Sequence, residues 1–431
     1  MTDQTDFGLS GLPSEAAATI RQRLGLAEAD PIRISFVPGP GDVSGTYAAW
    51  AEGRHDPRVP VITYSAQFFE LVERLGAEAQ IVTTYPPPAL PEPALPEAET
   101  PDRAAHLAGR GARFRFHQVP KRAPATGRRA WAAAEAAYAA AILAAVAAFD
   151  PQVVLVSTDM PSAAWAALKG PGGRRLVLTA HNTFWPMGRS PRGPKGIWRR
   201  LRLTARARAL DDAVCTSGEC ARQIAAVTGG RVQGLVEHPQ VVARYTPKVV
   251  GRIRKLLFLG RIESNKGIFL LLDAAAALVP RFPDLELVFA GSGGAAAELE
   301  ARIAALGQPG LRFVGRLGSD AVHAAIDAAD LVVCPTTSAF NEGLAVVGFE
   351  AAAHGVPTLM SSVVPAAETL GAAGRVFEAD SQPALRDALA ALLEDPEAGA
   401  RMGAALTELR AALYDRDRSW GMQLARVLQR L

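Results

Sequence analysis

Short runs of apolar, often β-branched residues recur along the chain, each followed by a stretch with helical spacing. This alternation constrains the fold more than any other feature. A parallel strand can be reached only through a crossover, normally a helix, so the pattern calls for parallel sheets with helices on both faces. The first run is 32–37, followed by a glycine-rich turn at 38–45, a helix at 65–75 stopped by Gly76, and a strand at 80–83. Further strands are expected at 153–157, 176–179 and 213–216, with Ser217 as a helix N-cap. A second series begins at 255–259 and continues at 285–290, 311–314, 331–335 and 357–360.

Two such series in 431 residues call for two cores, since one core stops growing at roughly 250–300 residues. The expected division is an N-terminal extension at 1–30, a Rossmann-like β/α/β domain at 31–245, a second at 249–413, and a final helix in 414–431 that packs back toward the first. The linker is placed within 237–248, which has two prolines and no periodicity. Residues 85–101, dense in proline and acids, read as an extended excursion from the first domain.

With 49% hydrophobic residues, 21% charged and a net charge of +3, the chain reads as a globular enzyme rather than a nucleic-acid binder. Its three cysteines show neither CxxC spacing nor a nearby histidine, so neither a zinc site nor a disulfide framework is expected. The N-terminus lacks the basic and apolar regions of a secretory signal, and the alanine-rich run 130–149 carries Glu135 and reads as a soluble helix. A cytoplasmic location follows as the expectation. One segment leaves two readings open. Residues 189–208 hold eight basic residues and no acid, with Ile197, Trp198 and Leu201 on one helix face. This is either a helix packed on its sheet with a solvated basic face or a peripheral contact with an anionic membrane.

Two constellations carry chemistry. Gly260-Arg261 follows a strand, and Lys266-Gly267 opens the next helix. Two cations at a strand's carboxyl end, beside a helix N-terminus with free amides, make a site that suits a diphosphate. The second is Asn341-Glu342-Gly343-Leu344 followed by Glu350. A helix beginning at Gly343 would put Glu350 on its inner face roughly 10 Å deeper, so one ligand could touch both. A carboxylate there suits a ribose diol, and the Gly343 and Leu344 amides a phosphate or sugar oxygen. Glu350 otherwise reads as half of a buried ion pair.

In this order and spacing, the segment resembles the donor domain of the family 4 glycosyltransferases, with its two glutamates separated by seven residues matched by Glu342 and Glu350. GRIESNKG resembles the family's diphosphate motif, RFVGRLG the turn near the nucleobase, and PAAETLGAAGRVFEA the stretch beyond the second glutamate. The resemblance implies the GT-B architecture, two Rossmann-like domains facing each other across a cleft, and a retaining transfer from a nucleotide-diphosphate sugar, UDP- or GDP-linked, to an acceptor. It implies that Arg261 and Lys266 hold the diphosphate, Glu350 the ribose, and Glu342 with the Gly343 and Leu344 amides the transferred sugar, with Leu317 or its neighbours bordering the base. Ala180-His181-Asn182 resembles the family's strand-then-histidine element, which makes His181 the candidate facing the reacting sugar. Either Gly41 or Gly45 stands for the glycine that approaches the diphosphate, because PGPGDVSG departs from the family's adjacent Gly-Gly; Gly41 is taken as the candidate. The candidates for catalysis are thus His181, Glu342, Arg261 and Lys266. Donor binding adds Gly41, Leu317, Asn341, Gly343, Leu344 and Glu350. No cofactor or metal is expected.

Three motifs compete. Gly291-Ser292-Gly293 with Ala296 matches a dinucleotide fingerprint, but no acid follows at the spacing a ribose needs. Asp415-Arg416-Asp417 matches a metal-binding DxD yet sits in a polar run. A nucleotide-sugar epimerase would share the architecture without the paired glutamates, and a non-catalytic sugar-nucleotide binder would lack the histidine or the cations.

Overall fold

A computed structural model describes residues 6–39, 41–56, 59, 61–88, 113–122, 126–170 and 172–431. The proline-rich segment 85–101 lies outside them from residue 89 onward.

The first sheet comprises β1 (Arg33–Val37), β2 (Glu78–Thr83), β3 (Phe114–Gln118), β4 (Val153–Ser157), β5 (Arg175–Ala180), β6 (Asp212–Cys215) and β7 (Leu235–Val236), in the order β3-β2-β1-β4-β5-β6-β7. All its pairings are parallel. The second comprises β8 (Lys255–Leu259), β9 (Glu286–Ala290), β10 (Leu311–Phe313), β11 (Leu331–Cys334), β12 (Thr358–Ser361) and β13 (Gly374–Phe377), in the order β10-β9-β8-β11-β12-β13, again all parallel. Central strands such as β4 and β11 are buried at every residue, because helices cover both faces. This is the doubly wound arrangement, with one strand-order reversal between β1 and β4 and another between β8 and β11.

Three edge strands escape the pattern reading: β3 has one buried residue, β7 has two residues in all, and β13 has two of its four residues exposed. A larger difference concerns the second glutamate's helix, which spans Val347–Ala353 rather than starting at Gly343. Ala345 adopts a positive φ of 70°, which breaks helical geometry just before it.

The Ala16–Leu24 and Trp420–Arg430 helices share the first sheet's core, where Ile20, Trp420, Leu424 and Leu428 pack with Phe36 and Phe68. Arg430 pairs with Asp212 on β6 at 2.5 Å, and the Ser419 hydroxyl donates to the Gly8 carbonyl at 2.6 Å. The Arg129–Phe149 stretch is long and apolar enough to cross a membrane by length and composition; Ile142, Ala145 and Val146 near its C-terminal end pack into the first domain's core, while most of the stretch is not buried.

Candidate active site

Both strand-order reversals lead into one cleft. On the second sheet, β8 ends in Gly260-Arg261, and that loop is held by the glycine turn after β9. A Cβ at Gly291 would lie 1.8 Å from the Gly260 carbonyl oxygen, and one at Gly293 would lie 2.3 Å from that of Ile262. The Ile262 amide donates to Ser292 and the Ala295 amide to Ile262, each at 3.0 Å. The glycines of the dinucleotide-like motif therefore let two loops pack, and this accounts for them without a second nucleotide.

Gly267, at φ 74°, packs against the Pro335 carbonyl and brings Lys266 beside the end of β11. Lys266 Nζ lies 2.5 Å from Glu342 Oε2, which also accepts from the Thr336 hydroxyl at 3.1 Å. Both side chains of the pair are nearly buried, so removing either would leave an uncompensated charge, at a cost of about 3–5 kcal/mol. Phe340 lies under both cations, with Arg261 Cζ 5.0 Å and Lys266 Nζ 4.0 Å from its ring centre. Lys266 and Glu342, expected to hold different parts of the donor, are thus paired with each other in this structure.

Glu350 is half-buried on the otherwise apolar Val347–Ala353 helix, without a hydrogen-bond or ion-pair partner among the described residues. The buried ion pair weighed for it is therefore absent here, and burial pushes its carboxyl up to about 7. The Cys334 thiol, pushed up to about 12 chiefly by burial, is raised further by Glu342 and by Glu350, so the two glutamates share a neighbourhood.

The Asn341–Gly343 segment docks on the loop after β5. A Cβ on Gly343 would meet the His181 carbonyl oxygen at 1.8 Å, so only glycine fits. Thr183 Oγ1 donates to the Glu342 carbonyl at 3.2 Å, and Asn341 Nδ2 to the Phe184 carbonyl at 3.3 Å. Leu344 is buried, its carbonyl accepting from the Ala366 amide at 3.1 Å. With the helix starting at Val347, the Gly343 and Leu344 amides are not its terminal donors, contrary to expectation. Leu317 packs against the core cluster that holds Leu344 and Phe349.

His181 and Gly41 line a cavity of about 560 Å³ together with Arg316 and Val346 of the second half. The His181 ring lies 4.7 Å from that of Tyr64, and its Nδ1 is buried without a partner. Burial pulls its pKa down to about 4, so the ring is neutral near pH 7 and offers hydrogen bonds rather than charge. Tyr64 donates at 3.0 Å to Glu237, a buried carboxyl that desolvation pushes up to about 8. Asp159, after β4, is raised by burial, against which Arg122 and Arg261 act by charge. Tyr64, Glu237, Asp159 and Arg316 were missed in the sequence, since none sits in a motif. Glu237 even lay inside the expected linker.

The rival DxD is structural: Arg416 pairs with Asp6 at 3.2 Å, and Asp415 caps its own turn by accepting from the Asp417 amide. No group of three or more histidine, cysteine or acidic side chains converges among the described residues.

Two parallel α/β units with their strand-order reversals facing one cleft define the GT-B architecture. The solved structures agree. Sucrose-phosphate synthase from Thermosynechococcus elongatus superposes with a TM-score of 0.64 at 18% identity, covering 93% of this chain and 98% of that one. Anabaena Alr3699/HepE, solved with UDP, does so with a TM-score of 0.60 at 16% identity, covering 93% and 100%. At the sequence level, the family model for glycosyl transferases group 1 matches residues 248–408, and that for Glycosyltransferase Family 4 matches 49–233. The chain belongs to the family 4 glycosyltransferases. Among curated relatives it is 37% identical over 155 residues to a D-inositol 3-phosphate glycosyltransferase of Corynebacterium glutamicum, covering 34% of this chain and 36% of the relative. It is 33% identical over 180 residues to a phosphatidyl-myo-inositol mannosyltransferase of Mycolicibacterium smegmatis, covering 41% and 44%. The chain thus matches less than half the length of these relatives.

Proposed function

We propose that this protein is a retaining glycosyltransferase that takes a sugar from a nucleotide-diphosphate donor and passes it to an acceptor held by the first domain. The observation that carries this reading is the seating of Gly343 against His181, which joins the loop bearing Glu342 to the loop bearing the histidine. Arg261 and Lys266 stabilise charge growing on the leaving diphosphate, the place where preorganised electrostatics contributes most. Binding of that anion competes with Glu342 for Lys266. Glu350, lacking a protein partner, accepts from the ribose diol, and its charged form makes the stronger acceptor. The neutral His181 hydrogen-bonds the sugar or positions the acceptor, and closure of the two halves excludes water. In HepE the bound nucleotide is UDP; for this chain UDP- and GDP-sugars are the first donors to test.

A thermal-shift screen of UDP-, GDP- and ADP-sugars, followed by slow donor hydrolysis with each binder, tests the reading. Stabilisation by one nucleotide series with release of free sugar is the expected result. Binding without turnover would mark a sugar-nucleotide carrier instead, and release of an epimer an epimerase.

A further inference from the structure

Beside the His181 cavity, and sharing Asp159 with it, a groove of about 790 Å³ opens between the Arg128–Phe149 and Gly193–Ala207 helices. Its floor is Thr158 to Met160 after β4 and Phe184-Trp185 after β5, the same carboxyl edge that presents His181. Trp131, Trp165, Trp185 and Trp198 line it, and so do Arg122, Arg199, Arg200, Arg202 and Arg206. Against five guanidinium groups stand two acids, Glu135 and Asp159, and Glu135 is already paired with Arg122 at 2.6 Å.

Arg199, Arg200 and Arg202 have no acidic partner among the described residues. Arg202 lies over the Trp198 ring at 4.3 Å and Arg200 over that of Trp185 at 6.0 Å. Arg206, desolvated and beside Arg202, is held below the usual arginine range. A cluster of like charges left uncompensated in a groove attracts an anion. Exposed apolar side chains accompany it: Trp131 and Trp198 of the lining are 56% and 59% exposed, and Ile197 and Leu201, outside the lining but on the same helix as Trp198, are 56% and 62% exposed, although large apolar side chains normally avoid water. Arginines with tryptophan and aliphatic residues on adjoining faces suit a lipid–water interface. The other basic residue of note, Arg189, does not belong to this face, since it pairs with Asp380 at 2.9 Å in the second domain.

We infer that this groove is the acceptor site and that it seats the anionic head of an amphiphile drawn from a lipid surface on which the Gly193–Ala207 helix lies. The word acceptor rests on the transferase reading above; the binding of an anionic amphiphile does not.

The full chain is titrated, with tryptophan fluorescence as the readout, against vesicles of phosphatidylcholine alone, vesicles of phosphatidylcholine mixed equally with phosphatidylglycerol, and free glycerol 1-phosphate. The mixed vesicles are expected to bind and blue-shift the emission. The exposed triple variant R199Q/R200Q/R202Q should bind them on the order of a hundredfold more weakly. Equal binding to both vesicle types, an unchanged triple variant, or glycerol 1-phosphate binding as well as the mixed vesicles would each overturn the inference. The groove itself is probed with monomeric short-chain phosphatidylglycerol, which A136W, at an exposed position on its wall, should weaken at least tenfold; unchanged affinity would remove the groove as the seat of the head. UDP and GDP binding by each variant confirms its fold. If the wild type bound no nucleotide while the lipid results held, the transferase reading would fall and the lipid site would stand.

Discussion

Half-buried Glu350 and buried Glu237 both carry carboxyls raised by desolvation, yet their elevated pKa values have different consequences. With a value of about 7, Glu350 loses its charge as pH falls from 8 to 6, and the strength of its bonds to a ribose diol falls with it. Nucleotide affinity measured by calorimetry should therefore weaken as pH falls from 8 to 6, and Glu350→Gln should flatten the profile and weaken binding about tenfold or more at pH 8. A variant with wild-type affinity and slope would remove Glu350 from the nucleotide site. Glu237 acts on stability. Its folded value of about 8 exceeds the unfolded 4.5, so its contribution is full below pH 4.5 and is lost as pH rises through 8. Urea titrations should show Glu237→Gln removing a downward slope of up to about 1.4 kcal/mol per pH unit between those limits. A slope that persists would place its origin elsewhere. His181 works in the other direction: pulled to about 4, it destabilises the fold as pH falls below 6.5.

Elements differ in how much of them the sequence discloses. β4, β5, β8 and β11 are visible as apolar runs because helices cover both their faces, whereas β3 and β13 lie at edges where half the side chains meet water. The paired glutamates and the two cations were legible as a motif. The Tyr64–Glu237 contact was not, because its partners are 173 residues apart and meet only when β7 docks beside β6. The helix start at Gly343 was misread for a related reason. The segment before Val347 takes its shape from contacts with the first domain, which local spacing does not encode. This gives an element-scale expectation: Gly343→Ala forces the 341–344 segment off the His181 loop and lowers kcat at least tenfold, with a stability loss of about 1–3 kcal/mol in denaturant titrations. Wild-type turnover would show that the contact is dispensable.

At the scale of the whole molecule, further polar bridges join the halves. Arg189 reaches Asp380 at 2.9 Å and Glu378 at 3.3 Å, and Arg222 reaches Glu368. These groups are largely exposed, so Arg189→Ala should change stability by less than about 1 kcal/mol. It should instead loosen the approach of the domains, seen as a larger radius of gyration in small-angle scattering without nucleotide. An unchanged radius would leave closure to the Arg222–Glu368 bridge and the contacts around Gly343. The Trp420–Arg430 helix, which fills the core of the first sheet, also bears on the order of synthesis. A ribosome delivers the strands of that sheet early but its last packing helix at the end, after the whole second sheet has emerged. The second domain is contiguous and can close while the chain is still growing. Of these two domains, the one that begins first is therefore the one completed last, and during the interval its apolar face lacks that helix.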